Sequence, residues 1–182
     1  MSTPALPGFP PSPGGVLPPS PLRGKGLALR RAGDGDLAWL PRLYASTRAD
    51  EMAAVPWSET AKQAFLAEQF GHQHRHYVAH FGDADFLIVE QDGRPLGRYY
   101  LQCNAPDHLL VDISLWPEAR GHGIGSQLIR ASQDEAARQG CGMRLHVLQA
   151  NQSARRLYER LGFVVTGAEG FHHHMQWRPA AR

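Results

Sequence analysis

Three glycines at alternate positions, Gly121, Gly123 and Gly125, stand directly before an apolar run with helical spacing in the stretch ARGHGIGSQL (residues 119–128). Glycine disfavours a helix, so three of them at a helix start indicate a backbone that must come close to something. Successive main-chain N–H groups at a helix N-terminus, helped by the helix dipole, bind a phosphate group. A tight turn without a ligand would use the same glycines, so the pattern alone leaves both interpretations open.

Two common nucleotide-binding motifs do not match this loop. The dinucleotide-binding fingerprint reads G-x-G-x-x-G and opens its unit, whereas this loop reads G-x-G-x-G and follows several strands. A P-loop requires Gly-Lys-Ser/Thr, but Gly125 is followed by Ser126 and Gln127. What remains is R-x-x-G-x-G, from Arg120 to Gly125, between an apolar strand and a helix.

Histidines form two clusters that could ligate a metal ion. The clusters are His72, His74 and His76, and His172, His173 and His174. A metal site needs a defined ligand set, and no HExxH or comparable pattern is present, so we predict no metal site. Alternation along a last strand would instead place four side chains on one face: Phe171, His173, Met175 and Trp177.

The elements that position these residues follow from apolar periodicity and turn residues. Predicted strands cover residues 27–31, 85–91, 95–102, 108–115, 144–150, 163–167 and 171–177. Asp92-Gly93 predicts a hairpin between the second and third of them. Predicted helices begin after Asp34 or Asp36 (with Leu37, Leu40 and Tyr44 on one face), after Ser58, and at residues 124 and 153. Gly140 and Gly162 end the last two helices, and the order is mixed α/β.

Length and composition predict one globular domain. The chain has 182 residues, of which 42% are hydrophobic, and its formal net charge is +2. This charge is too weak to indicate nucleic-acid binding. Cys103 and Cys141 form no metal-like or redox-like pair, so both are expected to be small apolar residues in a reducing compartment.

The chain shows no sign of a membrane segment or a signal peptide. No apolar run approaches the roughly 18 residues that cross a bilayer. Residues 1–22 contain no charged residue and no continuous apolar core, unlike a signal peptide. We therefore predict a cytoplasmic protein with no membrane partner.

The N-terminal region is unusually rich in proline, with eight of the 14 prolines in residues 1–21. Such a stretch favours extended conformations and is unsuited to forming a core. We predict a disordered tail over residues 1–25, a single domain over 26–178 and a short C-terminal tail over 179–182.

A second motif helps to interpret the glycine loop. Residues 151–163, NQSARRLYERLGF, read N-x-x-A-x-x-L-Y-x-x-x-G-F. Together with LLVDISLWPEARGHGIGSQLI (residues 109–129), this segment resembles the GNAT (Gcn5-related N-acetyltransferase) superfamily, whose members use acetyl-CoA. The resemblance covers about residues 27–177. It implies an α/β (α+β) fold: a mixed, mostly antiparallel sheet of six to seven strands with a V-shaped opening between the two central strands, flanked by about four helices.

The resemblance also implies which residues hold the cofactor. The diphosphate of acetyl-CoA would sit on the loop and helix start: Arg120, Gly121, His122, Gly123, Ile124, Gly125 and Ser126. The strand before the loop, Ile113-Ser114-Leu115, would offer backbone groups to the pantetheine arm, as a neighbouring strand does. Asn151 would hydrogen-bond the cofactor, although the same residue can simply cap a helix.

Three side chains are implied as catalytic. Tyr158 would protonate the departing CoA thiolate, although its helical spacing also suits a core tyrosine. The amine would lose its proton to Asp112 or His146, each placed where superfamily members carry a base. Asp112 could instead pair with an arginine, His146 could be a hydrogen-bonded core residue, and a relayed water with no single base is also open.

The function implied is transfer of an acetyl group from acetyl-CoA to a primary amine by direct attack. The loop near residues 49–58 and the final hairpin would border the acceptor pocket. Two alternatives stand beside this function: an acyl-CoA-binding module of the same fold without activity, and a histidine-rich metal-binding protein. The acceptor, whether small molecule or protein amine, is open, and so is a homodimer.

Overall fold

The computed structural model of the chain describes residues 5–11 and 26–180. Seven strands form its sheet: β1 Leu27–Arg31, β2 Asp85–Gln91, β3 Arg94–Gln102, β4 Asp107–Leu115, β5 Gly142–Leu148, β6 Val164–Glu169 and β7 His172–Trp177. Five α-helices accompany them: α1 Leu40–Thr47, α2 Ala49–Ala53, α3 Glu59–His80, α4 Ile124–Arg138 and α5 Gln152–Arg160. Short 3₁₀ helices cover Asp34–Ala38 and Pro117–Ala119.

The sheet has the predicted mixed, mostly antiparallel topology. Its strand order is β1-β2-β3-β4-β5-β7-β6, and β4 and β5 are the one parallel pair among them. The β4–β5 ladder runs from Asp107 opposite Gly142 to Leu110 opposite Leu145, and then stops. Both strands continue beyond that point, β4 to Leu115 and β5 to Leu148. The sheet therefore opens between its two central strands, as predicted.

Local signals placed most element boundaries correctly. Asp92 (φ 50°) and Gly93 (φ 77°) form the turn between β2 and β3. The Ser58 hydroxyl accepts a hydrogen bond from the Ala61 N–H at 3.2 Å and so caps α3. Gly140 and Gly162 follow α4 and α5 closely with positive φ, which a side chain would disfavour.

One helix prediction was wrong. The segment expected to form a single helix after Asp34 or Asp36 divides into the 3₁₀ helix Asp34–Ala38 and α1. Pro41 lies in the first turn of α1, where its missing N–H breaks no helical hydrogen bond. The short helix α2 then follows, so five α-helices flank the sheet rather than about four.

The sheet is covered on both faces. Helices α4 and α5 pack on one face, in a cluster that includes Leu128, Tyr158, Met143, Leu145 and Met175. Helices α1 and α3 cover the other face, where Leu40, Leu43 and Phe70 share a cluster with Ile88 of β2. The alternation of side chains along β2 and β3 supplies both clusters, because neighbouring residues point to opposite faces.

Residues 5–11, expected to belong to a disordered tail, contact the domain. The Phe9 ring lies 5.0 Å from the His74 ring and 5.6 Å from the Phe86 ring, centroid to centroid. His74, which is fully buried, has its Nε2 2.8 Å from the Pro7 carbonyl oxygen. Residues 5–11 of the predicted tail thus lie against α3 and β2 in this structure, and the bounds of the tail and the domain stay a prediction. Residues 1–4 and 12–25, and residues 181–182 of the predicted C-terminal tail, lie outside the described residues.

The Phe9→Ala substitution is expected to lower the free energy of unfolding by about 2 kcal/mol, because it removes a large apolar side chain packed on two rings. Phe171→Ala provides the matched control, since the Phe171 side chain is 82% exposed. Chemical denaturation of both variants and the parent measures the difference. Equal stability of the two variants would mean that residues 5–11 do not hold to the domain in solution.

Candidate active site

The glycine loop lies where β4 leads into α4, beside the opening of the sheet. Gly121 and Gly123 have φ of +77° and +80°, a region that favours glycine, and Gly123 is the N-cap of α4. A Cβ added to Gly121 would meet no atom within 4 Å. The backbone conformation, rather than crowding within the chain, therefore requires glycine here.

The main-chain amides of this loop are uncommitted. Within the described part of the chain, no hydrogen bond is donated by the N–H groups of residues 121–126, whereas the Gln127 N–H donates to the Gly123 carbonyl at 3.0 Å. These amides stand at the start of a 15-residue helix, where the helix dipole favours negative charge. The arrangement suits an anionic group with several oxygen acceptors.

The first turn of α4 packs between β4 and α5. A Cβ on Gly125 would lie 3.5 Å from Ile113 Cδ1 and 3.9 Å from Leu157 Cδ2. Ile113, Ser114 and Leu115 pair with β3 along one edge of β4, and their other edge lies beyond the end of the ladder with β5. This edge is available to an extended ligand, which would bind as an added strand does.

Two further residues expected to bind the cofactor have structural partners. Arg120 donates from Nε to the Leu115 carbonyl at 2.9 Å, which ties the loop to the end of β4. The Asn151 Oδ1 accepts from the Ala154 N–H at 3.1 Å and caps α5. His122 is exposed in the loop. The capping role considered for Asn151 is therefore present, and its side-chain NH₂ group is still available for a ligand.

Tyr158 lies on the face of the sheet covered by α4 and α5. Its side chain is 7% exposed, and its ring centroid lies 6.0 Å from that of Phe163. Burial, reinforced by the negative charge of Asp112, raises the pKa of the Tyr158 phenol well above its ordinary value of 10.0. None of the hydrogen bonds within residues 26–180 involves its hydroxyl group. Tyr158 is thus a protonated phenol with a proton to donate.

An open cleft of about 600 Å³ lies on the opposite face, beside the point where β4 and β5 separate. It is lined by His76 and Tyr77 of α3, Phe81 directly after α3, Leu109, Leu110 and Val111 of β4, His146 of β5, and residues 169–172 and 174 of the last hairpin. A volume of this size fits a small-molecule ligand. Residues of the final hairpin line the cleft, and no residue of the loop over residues 49–58 does. The acceptor pocket bordered by these two segments stays a prediction.

His146 stands on the β5 wall of this cleft, with part of its imidazole open to solvent and part covered. Its ring centroid lies 4.5 Å from that of His174, the residue opposite it on β7. Partial burial lowers the pKa of His146 below its ordinary value of 6.5, and the positive charges of His174, Arg144 and His172 lower it further. His146 is therefore neutral at pH 7 and able to accept a proton.

Asp112 is paired with an arginine, which is the second of the two roles considered for it from the sequence. It accepts hydrogen bonds from Arg98, from the Tyr77 hydroxyl at 2.9 Å and from the Ser114 hydroxyl at 2.8 Å. Arg98 is 1% exposed, and its side chain contacts Asp112 from β3. Both oxygens of the carboxylate are thus engaged by donors of the chain itself.

The last strand divides its histidines between the two faces. Met175 and Trp177 pack against the α4–α5 cluster, and His173 contacts Arg155 of α5 at 3.4 Å. Phe171, expected on the same face, instead lies in the turn and lines the cleft. Among the described residues, no group of three or more His, Cys, Asp or Glu side chains is arranged to hold a metal ion.

Three residues of the site escaped the sequence analysis: Arg98, Tyr77 and Glu169. Arg98 and Tyr77 become neighbours of Asp112 only through the β3–β4 register and the packing of α3. Glu169 lines the cleft and lies 3.7 Å from His174 Nε2. The alternation of Arg98 and Tyr100 along an apolar strand was the one available signal, because an arginine on a buried face requires an acid partner.

Comparison with known proteins agrees with this geometry. Residues 42–163 match the family described as "Acetyltransferase (GNAT) family". The chain belongs to the GNAT family. The predicted family and fold class are thereby confirmed. Within the described residues, no helix combines the length and apolar character needed to span a bilayer.

Individual GNAT relatives match over different shares of their length. The chain is 37% identical over 91 residues to a mycothiol acetyltransferase of Acidimicrobium ferrooxidans, covering 47% of this chain and only 29% of that protein. It is 32% identical over 98 residues to acetyltransferase Atu2258 of Agrobacterium fabrum, covering 51% of this chain and 71% of that protein. The chain thus spans less than a third of the first relative, and relatives of this kind carry further sequence.

Among solved structures, the PaiA N-acetyltransferase of Thermoplasma acidophilum in complex with coenzyme A superimposes with a TM-score of 0.63. It is 21% identical in sequence, and the match covers 84% of this chain and 99% of that chain. At this identity the likeness establishes the shared GNAT fold.

Proposed function

We propose that this GNAT chain is an acyltransferase that moves an acetyl group from acetyl-CoA to a primary amine by direct attack. The observation that carries the proposal is the opening between β4 and β5, with the uncommitted amides of residues 121–126 beside it. A relative named an acetyltransferase and a structural neighbour crystallised with coenzyme A support the same activity.

The chain offers a binding group for each part of acetyl-CoA. The amides of residues 121–126 would hold the diphosphate, and the glycines would let it approach the backbone. The free edge of β4 at Ile113, Ser114 and Leu115 would pair with the amides of the pantetheine arm. Asn151 would donate a hydrogen bond to that arm from its NH₂ group.

The acid and the base of the proposed reaction come from opposite faces of the sheet. Acetyl-CoA supplies the acetyl group as a thioester. His146, in the cleft on the α3 face, would take the proton from the amine. Tyr158, on the α4–α5 face, would give its proton to the departing sulfur. The opening in the sheet lies between the two, so an amine and a thioester would meet there.

Asp112 stays outside these two roles because Arg98, Tyr77 and Ser114 already donate to its carboxylate. A relayed water with no single base stays the alternative to His146. The amine remains defined only as a primary amine, because the relatives' names cover different acceptors.

Thiol release from acetyl-CoA, measured across a panel of diamines, amino acids and amino sugars, tests the activity. Amine-dependent release by the parent that is lost in a Tyr158→Phe variant supports the proposal. Binding of acetyl-CoA with no release for any amine would favour the inactive acyl-CoA-binding module. No binding and no release would contradict both functions.

The fall of kcat/KM at low pH should reflect protonation of His146. We expect kcat/KM to fall as pH drops through a value below 6.5, because the lowered pKa keeps His146 neutral to a lower pH than usual. His146→Gln should lower kcat/KM by about 100-fold at pH 7 and remove this step from the profile.

His72→Gln is the control for this profile. His72 lies on α3, 3.6 Å from Glu68 and away from the cleft, so its loss should leave the step in place. A His146→Gln variant that retains the parent's activity and pH profile would show that another group accepts the proton.

A further inference from the structure

A buried ion pair joins β3 to β4 under the proposed acetyl-CoA site. Arg98 is 1% exposed, and its Nε and Nη2 lie 3.1 and 2.9 Å from the two carboxylate oxygens of Asp112. The same Nη2 lies 2.6 Å from Gln73 Oε1, and the guanidinium carbon lies 5.3 Å from the centre of the Tyr100 ring. Removing the two charges from water costs free energy, and apolar side chains would hold two strands together without this cost. The geometry of the pair therefore suggests a second purpose.

The pair is part of a network that gathers three elements on one carboxylate. Tyr77 of α3 donates to Asp112 Oδ2 at 2.9 Å, and Ser114 of β4 donates to Oδ1 at 2.8 Å. With Arg98, the carboxylate thus accepts four hydrogen bonds, two on each oxygen. Because four hydrogen bonds from three elements reach this carboxylate, the Asp112 side chain has one orientation. The backbone of β4 at Asp112 is held in place as well.

The backbone that this network holds is the part of β4 without a partner on its other edge. The β4–β5 ladder ends at Leu110. The β3–β4 register shifts at the same point: Leu101 pairs with Leu110 and Tyr100 with Asp112, so Val111 is bulged out. A bulged, one-sided strand segment is free to bend unless side chains fix it.

Close packing of the backbone supports the same conclusion. Gly97 of β3 lies opposite Leu115, and a Cβ on Gly97 would collide with the Ser114 carbonyl oxygen. The end of β4, at Leu115, therefore lies close against β3, and the network holds β4 at Asp112. The segment between Val111 and Leu115 is fixed at both ends.

We propose that Arg98 and Tyr77 are positioning residues for acetyl-CoA binding, acting through Asp112 on the free edge of β4. This inference rests on the proposed function, because it assigns the segment 111–115 to the cofactor. Arg98 and Tyr77 keep the amides and carbonyls of Ile113 and Leu115 aligned for the pantetheine arm. Neither side chain needs to touch the cofactor for this role.

The decisive comparison is between two tyrosines that each lose one buried hydrogen bond. Tyr77→Phe removes the bond to Asp112, whereas Tyr99→Phe removes a bond of 2.7 Å to Ser132 on α4. Calorimetry with acetyl-CoA alone, without an amine, should show about tenfold weaker binding for Tyr77→Phe, because the free edge of β4 is then less well ordered before the cofactor binds. Binding by Tyr99→Phe should stay within about twofold of the parent, because this bond lies outside the network. Ser114→Ala keeps the backbone of β4 and should behave as Tyr77→Phe does.

A second test separates positioning from folding. Arg98→Met leaves the Asp112 carboxylate, whose side chain is only 10% exposed, without its cation, so this variant is expected to be unstable. The double variant Arg98→Met/Asp112→Leu replaces the pair by apolar side chains and should recover most of the melting temperature. It should still bind acetyl-CoA at least about tenfold more weakly than the parent, because nothing replaces the network.

The outcomes distinguish this proposal from the proposed function. If the parent binds acetyl-CoA and Tyr77→Phe and Ser114→Ala bind it equally well, the positioning role is wrong and the function stands. Parent-like binding by the folded double variant would also overturn the positioning role. If the parent itself shows no binding, the proposed function fails first.

Discussion

Replacing Gly121 by valine is expected to weaken acetyl-CoA binding by at least about 100-fold, the largest effect on affinity that the site predicts. Gly121 has a φ of +77°, which a β-branched residue strongly disfavours, so the loop must change its conformation to accept the new side chain. Such a change turns the amides of residues 121–126 away from their common target. A diphosphate with several oxygens loses several bonds at once.

A matched substitution separates this effect from lost stability. Gly93, in the hairpin between β2 and β3, has the same φ of +77°, and a Cβ there also meets no atom within 4 Å. Gly93→Val and Gly121→Val should therefore lose similar amounts of melting temperature. Calorimetry with acetyl-CoA should show parent-like affinity for Gly93→Val alone. Equal affinities for the two variants would remove the loop from the binding site.

Tyr158→Phe is expected to lower kcat by about 100- to 1,000-fold with little change in the affinity for acetyl-CoA. The substitution removes one hydroxyl, and no hydrogen bond within residues 26–180 depends on it, so the melting temperature should stay close to that of the parent. A phenol whose pKa burial raises stays protonated across the working range and acts only as an acid. Its loss leaves the thiolate to depart unprotonated.

The choice of thioester sharpens this test. An acetyl thioester of a more acidic thiol depends less on an acid, so it should recover part of the rate lost in Tyr158→Phe. Tyr99→Phe removes a buried hydroxyl group from the same apolar cluster. This variant should keep the kcat of the parent with acetyl-CoA, and it should gain no more than the parent from the more acidic thiol. A Tyr158→Phe variant with the kcat of the parent would show that the tyrosine belongs only to the core.

Much of this fold follows from short-range sequence signals. The Asp92-Gly93 turn, the Ser58 cap and the glycines after α4 and α5 each act within a few residues, and all were predicted correctly. The glycine loop is likewise a local feature, whose positive φ at two positions can be anticipated from residue type. The V-shaped opening required the family resemblance, because periodicity does not tell which strands separate.

Long-range partners explain what the sequence did not predict. Asp112 was expected on a face that could reach the cleft, but it is not among the residues that line the cleft, and its partners come from β3 and α3. Both contacts depend on the bulge at Val111, which a pattern with a period of two does not anticipate. The choice between a base and an arginine partner for Asp112 is therefore made by strand register.

The contacts of the N-terminal segment were likewise not predictable from the sequence. Its proline content predicts an extended chain, and residues 5–11 form no helix or strand. Composition does not reveal that Phe9 contacts the ring of His74, a residue 65 positions later in the sequence. Contacts between such distant residues depend on the completed sheet and on α3.

The central claim is that the main-chain amides of residues 121–126 bind the diphosphate of coenzyme A. The most direct measurement is a titration of ¹⁵N-labelled protein with acetyl-CoA, followed through the backbone amide signals. We expect the largest shifts at residues 121–126, and we expect pantetheine, which lacks the diphosphate, to leave these signals in place while it shifts those of β4. Amide signals of residues 121–126 that do not move as acetyl-CoA saturates the protein would contradict the account.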